Sequence, residues 1–134
     1  MPEKYLFSGS GWRIGWQAHP PKGLIGGDHW GFELTELELI HFCALVSQLQ
    51  GAIAAIEPEL ADQEELACTG AIANLRLEVE GVPPTYSWYV CLECAQRQLE
   101  GSWPPGAMPE LLAAIANLQN LAGFNSDYPP CDDE

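Results

Sequence analysis

Twice along this chain, segments that alternate between apolar and polar residues are followed by a stretch with helical periodicity. The first alternating segment is residues 11–17, and its period of two predicts a half-buried strand. A turn signal follows at residues 20–23, and the alternation returns in residues 30–34. We therefore expect a second strand that pairs with the first, with the Gly-Gly-Asp of residues 26–28 forming a bulge or bend within it.

The next segment has the features of a long helix. Thr35 followed by Glu38 is a capping-box pattern, in which two side chains satisfy backbone amides of the first turn. Pro58 predicts the end of the helix, because proline lacks a backbone donor and disfavours helix at the preceding residue. Between them, apolar residues spaced by three and four predict one stripe along about six turns. They are Leu39, Phe42, Val46, Leu49, Ile53, Ile56 and Leu60.

The second half of the chain repeats this order. Residues 75–80 alternate, residues 81–84 turn the chain, and residues 86–93 and 97–103 predict two further strands. An antiparallel meander is the simplest pairing for strands joined by short turns.

A second helix is expected over residues 108–122. Pro109 suits a first helical turn, and Gly123 suits a C-terminal stop. The apolar stripe of this helix is Leu112, Ile115, Leu118 and Ala122. The predicted fold class is therefore α+β, with antiparallel sheets and two helices arranged as two strand-then-helix halves.

Length and composition predict one domain. With 134 residues, of which 47% are apolar and 18% charged, the chain can bury its own core. Residues 1–124 are expected to form this single α+β domain. Residues 125–134 contain two prolines and end in three acids, so we expect a mobile acidic tail.

The charge balance disfavours several partners. The chain has 19 acidic and five basic residues, a formal net charge of −14. Nucleic acids and anionic membranes are bound through Lys and Arg, so both are disfavoured, and we expect the five bases to form no cationic track. A protein partner, basic if it is charged, fits this balance better. Self-association stays open, because the apolar stripes of both helices could also form a homodimer.

The sequence also bears on location. No apolar run approaches the roughly 20 residues that cross a bilayer, and the N-terminal residues lack a leader pattern. Five cysteines, an odd number, favour free thiols in a reducing compartment. We therefore expect a cytoplasmic protein without a membrane span.

Several short motifs carry a family resemblance. They are Gly9-Ser-Gly-Trp-Arg-Ile-Gly-Trp16, Gly23-Leu-Ile-Gly-Gly-Asp28, Trp30-Gly-Phe-Glu-Leu-Thr35, Glu78-Val-Glu-Gly81, Tyr86-Ser87 and Glu100-Gly-Ser-Trp103. Through them, residues 8–120 resemble the Domain-of-Unknown-Function 1818 family of short cyanobacterial proteins. The resemblance implies a fold similar to the single-stranded-DNA-binding transcriptional regulators typified by Positive Cofactor Four and the plant Whirly proteins. It implies no activity and no catalytic residues.

Cys91 and Cys94 form a single CxxC pair. On a strand, a spacing of three sends the two side chains to opposite faces, which suits neither zinc nor a disulfide. Tetrahedral zinc would also need two more ligands, so we expect no metal and no cofactor. His41 has no partner at ligand spacing and is expected on a helix surface.

Catalytic patterns are weak. Asp28, His29 and Glu33 could be an acid/base cluster, but an aspartate after two glycines is more often a turn residue. The segment Gly9-Ser-Gly11 lacks the nucleotide-binding glycine spacing, and no serine lies in a nucleophile elbow. We therefore expect that the protein is not an enzyme.

The tryptophans are the candidate residues of an aromatic surface for a ligand or a partner. They are Trp12, Trp16, Trp30, Trp88 and Trp103. Stacking of unpaired bases on exposed rings contributes about 1–3 kcal/mol per base. However, Trp12, Trp16 and Trp30 fall in register with the apolar residues of the first strands, which favours a place in the core.

Three functions remain, and the residues identify none of them. The first is an acidic protein-interaction or accessory module without catalytic activity. The second, by fold analogy, is a regulator that binds single-stranded nucleic acid. The third is a domain that binds a small ligand in a pocket between helices and sheet, lined by tryptophan and tyrosine.

Overall fold

The computed structural model describes residues 3–124, which form two antiparallel four-stranded sheets and two helices. The first sheet contains, in spatial order, β1 (Lys4–Gly9), β2 (Trp12–Gln17), β3 (Gly23–Gly26) and β4 (Gly31–Leu34). The second contains β5 (Leu66–Ile72), β6 (Leu75–Val82), β7 (Thr85–Cys94) and β8 (Arg97–Trp103). Helix α1 (Glu36–Ile56) follows the first sheet, and helix α2 (Met108–Ala122) follows the second. The predicted α+β class is confirmed, whereas the similarity to Whirly proteins stays a prediction.

Alternation in the first sheet places its large apolar residues on the face toward the helices. Phe7, Ile14, Ile25 and Phe32 lie opposite one another across the four strands, and the last three are buried. Helix α2 contacts β1 and β2, and helix α1 contacts β3 and β4. Because successive side chains of a strand point to opposite faces, the intervening residues point away from the core.

Helix α1 begins with the predicted capping box. The amide of Glu38 donates to Oγ1 of Thr35 at 3.1 Å, and the amide of Thr35 donates to Oε1 of Glu38 at 2.9 Å. The helix ends at Ile56, and a short 3-10 turn (Glu57–Glu59) that contains Pro58 follows it. Both predicted ends of the helix are therefore confirmed.

The buried side of α1 is wider than the predicted stripe. Every residue from His41 to Val46 is buried, because α1 contacts β5 and β6 as well as the first sheet. His41 is only 7% exposed, so its expected place on the helix surface is wrong. The pKa of His41 is below its usual value, because the effect of burial is larger than the opposing effect of the nearby Glu38 charge. At the other end, Ile56 is exposed and Leu60 lies beyond the helix.

The burial of α1 explains its apolar composition. The helix and its 3-10 extension, Glu36–Glu59, are long and apolar enough to cross a membrane by length and composition. The expectation that no segment approaches that length is therefore wrong. Half of its most apolar window is buried inside the domain, and the helix contacts both sheets. This is the placement of a core helix.

Helix α2 has the predicted bounds. Pro109 lies in its first turn, and Gly123 ends it with a φ of 80°, a left-handed conformation that glycine adopts without a side-chain clash. Its buried residues are Met108, Leu111, Ile115 and Leu118. Leu111 thus takes the place predicted for Leu112, which is half-buried. The predicted tail, residues 125–134, lies outside the described residues.

Strands β1 and β5 have no counterpart in the predicted set, and the predicted second strand is two strands, of which β3 rather than β4 pairs with β2. Exposed Leu6 interrupts the alternation of β1, β3 has only four residues, and small residues fill β5. Pairing with a neighbouring strand, rather than their own pattern, places them. Gly26 ends β3, and the amide of Gly27 donates to the carbonyl of Trp30 at 3.0 Å. The predicted bulge at residues 26–28 is therefore a turn between two strands.

Two indole N–H groups join the sheets where β4 meets β8. Nε1 of Trp103 donates to the carbonyl of Gly26 at 2.9 Å, and Nε1 of Trp30 donates to the carbonyl of Ser102 at 3.1 Å. The centroids of the two rings are 5.0 Å apart. The hydrogen bonds therefore run in both directions across the junction.

Candidate functional site

The structure divides the five candidate tryptophans into two groups. Trp12, Trp88 and Trp103 are buried in the core, so these three rings expose little area to a partner on the outside of the domain. Trp16 and Trp30 are half-buried and are the two that reach solvent. A surface of five stacked rings is therefore not available.

The two half-buried indoles are held in place. Nε1 of Trp16 donates to Oε2 of Glu36 at 2.9 Å. The ring of Trp30 lies 4.9 Å from that of Phe32 and covers the backbone of Gly101. The N–H groups of both indoles are thus already bonded within the domain, and the fold uses these rings to join its parts.

The face of the first sheet that points away from the helices is here named the open face. Its residues alternate with the inner, apolar ones along each strand. They are Lys4, Leu6, Ser8, Arg13, Gly15, Gln17, Leu24, Gly26, Gly31 and Glu33. Glycines at three central positions leave a shallow trough, and Leu6, which is 54% exposed, lies against one of them.

Four of the five basic residues lie on or beside the open face. Lys4 and Arg13 belong to it, and Lys22 immediately precedes β3. Arg97 reaches β4 from β8, where Nη1 donates to a strand carbonyl at 3.0 Å. Arg76 lies apart on the second sheet. Four of the five bases therefore lie on one side of the domain, a placement that net charge alone does not show.

Carboxylates balance much of this positive charge. Nη2 of Arg97 donates a hydrogen bond to Oε2 of Glu38, and this bond raises the pKa of Arg97 above its ordinary value. Nζ of Lys22 lies 4.0 Å from Oε1 of Glu36. With Glu33 on the face itself, three carboxylates accompany four cations. The open face and its borders are therefore nearly neutral on a chain whose formal net charge is −14.

Three adjoining depressions follow the open face, with volumes of about 190, 490 and 520 Å³. All three include Glu33 in their walls, and Leu24 and Lys22 are each shared by two of them. The face is thus concave and partly apolar. Sequence patterns missed Leu6, Leu24 and Lys22, because only the strand register shows that they share a face.

The outer face of the second sheet has a different character. Its carboxylates are Glu78, Glu80, Glu93 and Glu100, and its single cation, Arg76, is paired with Glu78 at 3.1 Å. The hydroxyl of Tyr89 donates to Oε1 of Glu100, and this hydrogen bond is the main cause that raises the pKa of Tyr89. The two outward sheet faces therefore differ in charge.

A separate apolar groove of about 330 Å³ lies between the end of α1, the β6–β7 turn and the start of α2. Trp88, Met108 and Leu112 line it. The hydroxyl of Tyr86 donates to Oε2 of Glu57, and burial together with this bond raises the pKa of Tyr86 to about 12. The groove has the tryptophan and tyrosine lining expected of a small-ligand pocket.

The supposed acid/base segment is a turn. Oδ1 of Asp28 accepts a hydrogen bond from the amide of Gly11 at 3.1 Å, which braces the turn between β1 and β2. His29 is exposed, and Glu33 lies on the open face. Within residues 3–124, no three side chains of His, Cys, Asp or Glu are grouped so that they could hold a metal ion.

The cysteines of the CxxC pair have different environments. Cys91 is buried and Cys94 is exposed, and their spacing of three along β7 places them on opposite faces of the strand. Hydrogen bonds from the backbone of Gln96 and from Arg97 lower the pKa of Cys94. Burial raises the pKa of Cys43, in α1, to about 12.

We expect iodoacetamide to alkylate Cys94 at least about 100-fold faster than Cys43 in the folded protein at mildly alkaline pH, because only an accessible thiolate reacts. Peptide mass spectrometry of timed samples measures both rates. The difference should vanish in concentrated urea. Equal rates in the folded protein would contradict the burial of Cys43.

The fold and the open face define a class: a small α+β domain of two antiparallel sheets, each followed by a helix, with one nearly neutral sheet face. A family model described as Domain of unknown function (DUF1818) matches residues 7–118. The chain belongs to this family.

A solved structure has a similar fold. It is a protein with unknown function from the DUF155 family of Prochlorococcus sp. NATL2A, with a TM-score of 0.80 and 20% sequence identity. The similarity covers 86% of this chain and 98% of that chain, and at this identity it shows the fold alone. No curated protein matches the chain.

Four of the six motifs that carry the family resemblance meet in space. Arg13 of the first motif donates to the carbonyl of Trp30 in the third, and Trp103 of the last motif donates to Gly26 of the second. Gly101 lies beneath the ring of Trp30. These motifs therefore build the junction of the two sheets and the adjoining part of the open face.

Proposed function

We propose that this protein is a cytoplasmic, non-enzymatic interaction module that binds a protein partner across its open face. The observation that supports this most is the contrast between the open face, where three carboxylates accompany four cations, and the acidic outer face of the second sheet. A nearly neutral, partly apolar face lets another protein approach without the repulsion that the acidic surface presents elsewhere. The free thiols of Cys43, Cys68, Cys91 and Cys94 agree with a reducing compartment.

The shape of the open face supports the same proposal. Leu6 is 54% exposed and Leu24 is half-buried, so the trough offers apolar contact area. The bordering strand β1 is at the edge of its sheet, and no other strand within residues 3–124 pairs with its outer side. A partner could therefore add backbone hydrogen bonds to side-chain contacts.

Single-stranded nucleic acid is the second candidate, and the gathering of four cations is the observation that favours it. Binding to phosphates depends on cations that displace counterions. Here Lys22 and Arg97 already have carboxylate partners, and Glu33 lies among the cations. The large negative charge of the molecule also repels a polyanion at longer range. A protein partner therefore accounts for the face better.

Site-specific photo-crosslinking tests the proposal. A benzophenone side chain at position 24 is expected to give one dominant protein adduct in a lysate of the source organism, and an excess of unmodified protein should suppress it. Leu6→Asp should lower the yield by about tenfold or more, because it places a charge in the apolar part of the contact.

Position 37 serves as the matched control. Leu37 is also 54% exposed but lies on α1, so a benzophenone there should give no saturable adduct. Equal adducts from both positions would refute the open face as the binding surface. An adduct at position 24 that nuclease removes would replace the protein partner with nucleic acid.

A further inference from the structure

Arg13 has an unusual place on the open face. Its guanidinium lies across the glycines of the two neighbouring strands: a Cβ built at Gly26 would be 2.9 Å from Nη2, and one built at Gly31 would be 2.8 Å from it. Nη2 donates to the carbonyl of Trp30 at 2.8 Å. The two glycines therefore make room for the guanidinium, and the carbonyl holds it in place.

Arg13 has no carboxylate partner. Arg76 and Arg97 each form an ion pair, but within residues 3–124 no Asp or Glu oxygen lies within 4.0 Å of the Arg13 guanidinium. Its Nε is buried and has no hydrogen-bond partner. A partly buried cation without a counter-ion is costly. This is notable in a chain with 19 acidic residues.

The depression around Arg13 has both charged and apolar walls. Its volume is about 520 Å³, and Leu24, Phe32 and Leu99 contribute to its lining. A guanidinium pairs with a planar carboxylate through two parallel hydrogen bonds. The carboxylate of Glu33 belongs to the same lining and opposes a doubly charged phosphate more strongly than a singly charged group. These contacts favour a carboxylate attached to an apolar body.

We propose that Arg13 binds an Asp or Glu side chain of the protein partner, and that the apolar walls receive an adjoining apolar residue of that partner. This rests on the proposed function of the open face. The site supplies a fixed, charged hydrogen-bond donor at the edge of an apolar trough, which is the arrangement of an interface anchor.

Nuclear magnetic resonance can test this on the unmodified protein. The chain has three arginines, Arg13, Arg76 and Arg97, so nitrogen-15 labelling of arginine gives three assignable Nε–H signals. The probe is the capped dipeptide acetyl-Phe-Asp-amide, with acetyl-Phe-Asn-amide as the uncharged control. We expect the acidic probe to shift the Arg13 signal saturably, while the signal of Arg76 stays in place.

Variants test the contribution of the side chain. Arg13→Gln is expected to weaken binding of the acidic probe by about tenfold or more, because a charged hydrogen-bond pair is lost. Arg13→Lys should weaken it too, because lysine lacks the planar fork. Arg76→Gln, on the second sheet, should have no effect. Circular dichroism confirms that each variant is folded, and the wild-type titration remains decisive if one is not.

The outcomes separate this inference from the proposed function. No saturable shift, or an equal response to the Asn control, would overturn the carboxylate site while leaving photo-crosslinking at position 24 intact. A stronger response to inorganic phosphate or to an oligothymidylate would also overturn it, and would assign Arg13 to nucleic acid. Failure of the crosslinking alone would instead contradict the proposed function.

Discussion

Trp103→Ala is expected to lower the free energy of unfolding by about 3–5 kcal/mol, the usual cost of truncating a buried tryptophan. Trp103 is 1% exposed, and its ring lies 5.0 Å from that of Trp30 and 5.9 Å from that of Phe42. The substitution also removes the indole donor from the carbonyl of Gly26. The free energy of unfolding of a domain of this size is roughly 5–15 kcal/mol, so the variant should lose a large part of its stability.

Urea denaturation measures this effect. With a slope of about 1–3 kcal/mol per molar urea, the midpoint should fall by about 2 M. Trp103→Phe keeps an aromatic ring but not the N–H group, so it should cost less. Leu37→Ala, at an exposed helix position, should change stability by less than about 0.5 kcal/mol. A midpoint for Trp103→Ala close to that of the wild type would contradict the proposed junction of the sheets.

Gly101→Ala is expected to destabilise the protein by about 1–3 kcal/mol, the cost of forcing an extra methyl group into a packed site. A Cβ at Gly101 would be 2.5 Å from the ring of Trp30. Trp30 must therefore move, and its hydrogen bond to the carbonyl of Ser102 is lost. The midpoint of urea denaturation and the emission of the tryptophans should both change.

A second glycine provides a matched control. Gly51 lies inside α1, and nothing lies within 4 Å of a Cβ built there. Gly51→Ala is the same chemical change, but it should stabilise the protein by about 0.5–1 kcal/mol through helix propensity. Trp30→Ala should remove most of the cost of Gly101→Ala, because the two residues then no longer clash. If that cost persists with Trp30→Ala, the contact is not its cause.

Local patterns predicted the elements whose own residues specify them. The capping box of Thr35 and Glu38, the proline and glycine at the ends of α2, and the alternation of β6, β7 and β8 all had the expected result. These signals act over a few neighbouring residues, so they need no knowledge of the partner element.

Elements that depend on a neighbour were missed. β5 is rich in small residues and β3 contains two glycines, so each is a strand because of what pairs with it. His41 was expected at the surface, because no second ligand stands at ligand spacing from it and it lies outside the predicted apolar stripe. The second sheet covers the other side of α1, and a single amphipathic pattern cannot show that.

The candidate site shows the same division. The tryptophans were conspicuous in the sequence, yet three are buried and the other two are bonded within the domain. The open face depends instead on Lys22, Leu24 and Arg13, which lie on different parts of the chain, and no single motif contains all three. Strand register brings Arg13 and Leu24 onto one face, and Lys22 immediately precedes β3 beside it.

The residues alone thus determine the α+β class, both helices, the strands β6, β7 and β8, and the overall acidity. The position of each charge does not, because electrostatic and packing energies depend on distances between segments far apart in the chain. Pairing of β2 with β3, and of β3 with β4, places Arg13 over two glycines, with no described carboxylate oxygen within 4.0 Å of its guanidinium. Such a juxtaposition exists only once the chain has folded.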